Sequence, residues 1–233
     1  MTIIGDTRRQ CDYIIAGFPK SGNNWIKMIL SSVITKKCLT YTQSSELIDS
    51  PETGLNMVRT HAIYNDTFYF KKLVYVIRDP RAVASSTLRH FDDHIKLYRK
   101  KYLNLNAEKI MGLWSPGRQF NIEWNHHVIS YLEVAEKDNR ILIVRYKDLY
   151  DEPIKWFQNI CKHFDLEVTD NELQTYIDWY KSEDFIKISG LPSEFKWKFK
   201  KDSWKEDLSQ QLILDIEERY KDVMDIMGYT KEG

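Results

Sequence analysis

Asp12-Tyr-Ile-Ile-Ala-Gly-Phe18 is a short apolar run without helical period that ends at Gly and Pro, so it reads as a fully buried strand. Directly after it, Trp25, Met28, Ile29, Ser32 and Val33 recur at helical spacing, which makes a strand, a tight loop and a helix. The order repeats. Lys72-Leu-Val-Tyr-Val-Ile77 stops at Arg78-Asp79-Pro80, and Ala82, Val83, Ser86 and Leu88 follow at helical spacing. Arg140-Ile-Leu-Ile-Val-Arg-Tyr146 leads past Asp151-Glu-Pro153 into a helix through Trp156, Phe157, Ile160 and Phe164. Continuous apolar strands alternating with helices predict an α/β fold with a central parallel β-sheet flanked by helices. A polar stretch from Asn121 to Tyr131 can continue as helix, and a last helical segment runs from about Leu208 to Met227.

The 233 residues fit one ordinary domain, and with 42% hydrophobic and 29% charged residues they can bury a sizeable core. Residues 1–233 are therefore expected to form a single domain. Lys+Arg and Asp+Glu both number 34, so there is no general attraction to nucleic acid or to an anionic membrane, and any anion site must be local. The longest apolar runs, Tyr13 to Phe18 and Leu73 to Ile77, fall far short of the roughly 20 residues that span a bilayer. Arg8 and Arg9 are followed by Asp12 and not by a long apolar core, so no signal peptide is read and a cytoplasmic location is expected. Cys11, Cys38 and Cys161 are an odd set without CxxC spacing and are expected to be buried free thiols.

The first loop, Gly17-Phe-Pro-Lys-Ser-Gly-Asn-Asn-Trp25, lies where a parallel sheet hands a strand to a helix, the place where backbone amides and the helix N-terminus bind phosphate. Its Gly17-x4-Gly22 spacing matches the start of a Walker loop, so the fold is expected to be of the P-loop nucleotide-binding type. Asn23 and Asn24, however, stand where that loop has Lys and the Ser/Thr that holds magnesium. The lysine is inside the loop, at Lys20, so positive charge is present without the usual metal ligand. His90 and His94 share a helix face with no accompanying zinc-binding carboxylate pattern, and no metal is expected.

Pro19-Lys-Ser-Gly-Asn-Asn-Trp25 resembles the PKSGTTW loop of sulfotransferases that use 3′-phosphoadenosine 5′-phosphosulfate (PAPS) and release 3′-phosphoadenosine 5′-phosphate (PAP). Val76-Ile-Arg-Asp-Pro-Arg-Ala-Val-Ala-Ser-Ser86 is similar to that family's R-N-P-x-D-V-x-x-S motif, with Ala82 in place of its Asp. Arg145-Tyr-Lys-Asp-Leu149 with Glu152-Pro153 resembles Y-E-D-M-x-x-D-P. Near the C-terminus, Phe195, Lys198, Trp204 and Lys205 match F-x-R-K-G followed by G-D-W-K, while Trp197 and Phe199 replace its Arg and Gly. The resemblance implies that Lys20, Ser21, Gly22, Asn23 and Asn24 hold the 5′-phosphate end. It also implies that Trp25 and Tyr146 pack near adenine, that Arg78 and Ser86 bind the 3′-phosphate, and that Phe195 and Lys198 complete the cofactor site. Lys196, Lys200 and Lys201 are point charges that cannot reproduce the bidentate fork of the missing Arg. The family's dimer motif would fall at Lys205 to Leu214, where Ser209, Gln210 and Leu214 break it, so no oligomeric state is predicted.

Sulfuryl transfer to an alcohol or phenol needs a base, in-line geometry and positive charge at the leaving phosphate. Arg59-Thr-His61 resembles the family's K-T-H, which makes His61 the candidate base, Arg59 its assistant and Lys20 the group that neutralises the leaving oxygen. Trp124-Asn-His-His-Val128 resembles W-Y-D-H-V, with His127 in a structural or substrate-lining place. Phe68, Tyr69, Phe70, Tyr98, Tyr102 and Trp114 are candidates to line an aromatic or apolar pocket for a small-molecule acceptor, or are core. Two other readings stay open. One is an ATP-using P-loop phosphotransferase, which needs the Lys-Ser/Thr pair that Asn23 and Asn24 replace. The other is an inactive nucleotide-binding scaffold, against which Lys20 and His61 stand.

Overall fold

Side chains along the strands alternate between two separate cores, as expected of a sheet covered on both faces. On β1 (Tyr13–Ala16), Ile14 and Ala16 enter one core and Ile15 the other; on β3 (Lys72–Ile77), Leu73, Tyr75 and Ile77 join the first while Val74 and Val76 join the second. β2 (Met57–Thr60) and β4 (Ile141–Arg145) complete a parallel sheet of order β2-β1-β3-β4. The computed structural model describes residues 12–49, 57–66, 69–94, 106–112, 123–189 and 202–230.

One face is covered by α1 (Asn23–Thr35), α2 (Tyr41–Asp49), α7 (Pro153–His163), α8 (Asp170–Lys181) and α9 (Glu183–Ile188), through Trp25, Ile29, Ile48, Phe157, Leu173 and Phe185. The other carries α3 (Pro80–His94), α4 (Ala107–Gly112), α5 (Trp124–Ala135), α10 (Trp204–Asp207), α11 (Gln210–Arg219) and α12 (Lys221–Met227). A short α6 (Tyr146–Asp151) follows β4 without a break. Local chemistry sets several boundaries: Pro153 opens α7, and a capping box between Thr169 and Glu172 opens α8.

The C-terminal segment read as one helix is two. The chain turns at the buried Tyr220, which packs its ring 5.4 Å from Trp124, and the break lets Val223 and Met224 reach the same core as Leu212 and Ile216. Cys161 is buried as expected, but Cys38 is exposed, because it lies just past the left-handed cap of α1 at Lys36 on the way to α2. Cys11 lies outside the described residues, as do the side chains of His90 and His94. Among the described residues no helix is long and apolar enough to cross a membrane.

Candidate active site

β2 lies on one side of β1 and β3 on the other, so the connections diverge at the carboxyl ends of β1 and β3 and open a crevice there. Four of the segments singled out by sequence leave the same end of the sheet. The 17–25 loop follows β1, His61 follows β2, Arg78 follows β3 and Tyr146 follows β4; the register pairs Ala16 with both Thr60 and Tyr75, and Ile77 with Arg145.

The loop is shaped by positive φ angles at Lys20 (68°) and Gly22 (111°), alternating with ordinary residues so that successive amides turn to one side. Ser21 N–H donates to the Phe18 carbonyl (3.1 Å) and Trp25 N–H to Gly22 (2.9 Å), whereas the amides of Gly22, Asn23 and Asn24 meet no backbone carbonyl among the described residues. Two glycines are sterically obligatory. A Cβ on Gly17 would stand 2.8 Å from the Val76 carbonyl oxygen, and one on Gly22 would stand 2.5 Å from the Tyr146 ring.

Arg78 closes the loop from β3: its Nη1 donates to the Lys20 carbonyl (3.0 Å) and its guanidinium lies 4.4 Å from the centre of the Tyr146 ring. It does not pair with Asp79, whose carboxylate is held by Arg81. Burial pushes the Lys20 ammonium down to about 8, and the guanidinium charges of Arg78 and Arg89 push the same way. Arg89 was missed by sequence reading. It lies one helical turn beyond Ser86 on α3, bound to Asp207 and to Ser203 Oγ, and burial and Arg78 lower its pKa in turn. Ser86 is half-buried and unbonded among the described residues, while Ser21 Oγ and Arg78 Nε are buried without a partner. A crowd of cations, orphaned donors and free amides fits a phosphate-bearing nucleotide.

The amides at 23 and 24 reach across to β2. Asn23 Nδ2 donates to the carbonyls of Gly17 and Thr60 (both 3.3 Å), so its side chain ties strand ends together and only its backbone N–H is left for an anion. Asn24 Oδ1 accepts a hydrogen bond from Arg59 Nη1. His61 Nδ1 lies 2.7 Å from the Gly17 oxygen; a carbonyl only accepts, so Nδ1 carries a proton, and in the neutral ring Nε2 has the lone pair. Trp25 is buried, with its ring edge-on to Tyr146 at 5.9 Å and to Phe157 at 5.4 Å. Burial raises the Tyr146 phenol pKa, which Arg78 partly offsets.

A cavity lined by Arg78, Ala82, Tyr146, Lys147, Trp204 and Tyr229 adjoins this cluster. Phe70 is core, covered by the Arg140 guanidinium, and Tyr69 is exposed. Phe68, Tyr98, Tyr102, Trp114, Phe195, Lys198 and the neighbouring residues Lys196, Trp197, Phe199, Lys200 and Lys201 lie outside the described residues. Among the described residues no group of His, Cys, Asp and Glu is placed to hold a metal ion.

A family model described as a sulfotransferase domain matches residues 51–228, beginning beyond the 17–25 loop. Cytosolic sulfotransferase 13 of Arabidopsis thaliana is 23% identical over 206 residues, covering 78% of this chain and 61% of that protein. The 3-beta-hydroxysteroid sulfotransferase of Cavia porcellus is 25% identical over 195 residues, covering 76% of this chain and 66% of that protein. The chain thus spans somewhat less than two thirds of the length of these relatives. In fold it is similar to a retinol dehydratase solved in complex with androsterone and inactive cofactor PAP, with a TM-score of 0.64 at 17% identity, covering 93% of this chain and 81% of that one.

Proposed function

Because the chain belongs to the sulfotransferase domain family, we propose that it moves a sulfuryl group from PAPS to a hydroxyl, less readily an amine, of a small-molecule acceptor. The observation that carries this reading is the meeting of Lys20, Arg78 and the turned loop at one crevice with His61, whose Nε2 has the lone pair. A retinol dehydratase of similar fold binds PAP, which supports the donor.

When bound, PAPS supplies the sulfuryl group and departs as PAP. The chain's residues do the rest. The amides of Gly22, Asn23 and Asn24 and the hydroxyl of Ser21 would hold the 5′-phosphate, Arg78 and Ser86 would hold the 3′-phosphate, and Trp25 and Tyr146 would bound the adenine; Phe195 and Lys198 are further candidates for cofactor binding. Lys20 donates to the leaving oxygen, and its lowered pKa lets it respond to charge that builds there. His61 Nε2 takes the acceptor's proton, and Arg59, steadied by Asn24, adds positive charge beside the transfer.

The reading takes residues 1–233 as one such domain, cytoplasmic, acting on an apolar or aromatic acceptor such as the androsterone bound by the retinol dehydratase. An ATP-using reaction has no support in the loop, since Asn23 and Asn24 are committed to Gly17, Thr60 and Arg59. Incubation with radiolabelled PAPS and a panel of phenols and hydroxysteroids tests the reading. Labelled product that disappears with His61→Ala is expected; absence of transfer to every acceptor, alongside tight PAP binding, would favour a nucleotide-binding scaffold.

A further inference from the structure

We propose that His127 is a positioning residue for His61: locked in one tautomer by Tyr75, it pins the His61 backbone to α5. The proposal rests on His61 being the base. His127 Nε2 is 3.2 Å from the His61 carbonyl oxygen, which can only accept, so Nε2 carries the proton. Its Nδ1 then has the lone pair, and the Tyr75 hydroxyl, 2.8 Å away, donates to it. The His127 side chain is 1% exposed, which removes it from contact with an acceptor. Burial also pushes its pKa down to about 4, so the ring stays neutral at physiological pH.

His127 does not act alone. Tyr131 O–H donates to the Ala62 carbonyl (2.9 Å) and Tyr64 N–H donates to Ser130 Oγ (3.2 Å). Positions 127, 130 and 131 share one face of α5, so the segment after β2 is fastened at His61, Ala62 and Tyr64 to a single helix. Tyr75 stacks on Tyr131 with centroids 4.0 Å apart, which ties that face to β3. The His127 ring also meets Phe18 of the 17–25 loop edge-on at 5.6 Å. His127 therefore stands between the segment that carries the base and the loop that carries Lys20. With its ring held at Gly17 and its carbonyl held at His127, His61 has one direction for Nε2; without the second hold, the ring turns with its backbone.

The test uses the full chain saturated with PAP, with 15N-labelled histidine, in wild type, Tyr75→Phe, His127→Leu and His127→Gln. In wild type, His127 is expected as the Nε2–H tautomer without titration between about pH 5.5 and 8, and His61 as the Nδ1–H tautomer. Tyr75→Phe and His127→Leu should give mixed His61 tautomers with the PAP Kd changed less than about twofold, and His127→Gln, which keeps an N–H for the carbonyl, should restore the wild-type signature. A His61 signature unchanged in both Tyr75→Phe and His127→Leu, or a PAP affinity that falls in step with it, overturns the proposal. Turnover of 2-naphthol separates the two readings. A loss of about tenfold in kcat for His127→Leu, absent when His61→Ala is already present, marks action through His61; turnover that survives His61→Ala sinks the base itself, while the tautomer result still judges the hold.

Discussion

The His61 ring donates its Nδ1–H to the Gly17 carbonyl oxygen across 2.7 Å, so the loop after β1 and the segment after β2 are joined through this ring. General-base assistance contributes roughly 10²- to 10⁴-fold to a rate. His61→Ala should lower kcat by about that factor while leaving the PAP Kd nearly unchanged, as read by steady-state assay and calorimetry. A parallel loss of PAP binding would make His61 a support of the loop and not a base.

Lys20 should make PAP binding pH-dependent. Its pKa is near 8 in the free protein, lowered by burial and then by Arg78 and Arg89. A phosphate of bound PAP beside Lys20 would stabilise the ammonium and raise that pKa. Binding should therefore take up a proton at and above pH 8, and affinity should fall as pH rises past 8. Calorimetry in two buffers of different ionisation enthalpy reads the uptake, which should vanish in Lys20→Met.

Lys20→Ala and Arg78→Ala should each weaken PAP by roughly 10- to 100-fold, since hydrogen bonds to charged groups are worth about 1.5–3 kcal/mol. Unchanged affinity in either variant would remove that residue from the site.

Gly22→Ala should cost about 1–3 kcal/mol of stability and most of the PAP affinity. The residue's φ is 111° and the new Cβ would lie 2.5 Å from the Tyr146 ring, so the ring must leave Arg78. Tyr146→Ala in the same background should recover part of the stability, measured by urea unfolding.

Arg81 is a structural hub beside the site, with a side chain 6% exposed that binds Asp79 and Glu217, donates to the Tyr229 carbonyl and lies 4.2 Å from the Trp204 ring centre. Arg81→Met should destabilise the fold by about 3 kcal/mol, the low end for breaking a buried ion pair. Urea unfolding checks this.

Three of the strands were legible because parallel strands buried on both faces read as continuous apolar runs, as in Lys72–Ile77. β2 was not. Its Met57-Val-Arg-Thr60 pairs on one side only among the described residues and has no such run, so Arg59 and His61 were found through a resemblance without the strand that presents them. The loop's place was legible from the strand, glycine and helix order. What Asn23 and Asn24 do was not, because their partners Thr60 and Arg59 lie on another strand. Arg89 was equally hidden: its i+3 spacing from Ser86 is visible in sequence, but its closeness to Lys20 and Arg78 is a product of packing.

Calorimetric titration of the protein with PAP, beside ADP and magnesium-ATP, tests the central claim most directly. Micromolar binding of PAP, with both controls at least about tenfold weaker for want of a 3′-phosphate to meet Arg78, is the expected result. No binding of PAP, or tighter binding of magnesium-ATP, would contradict it.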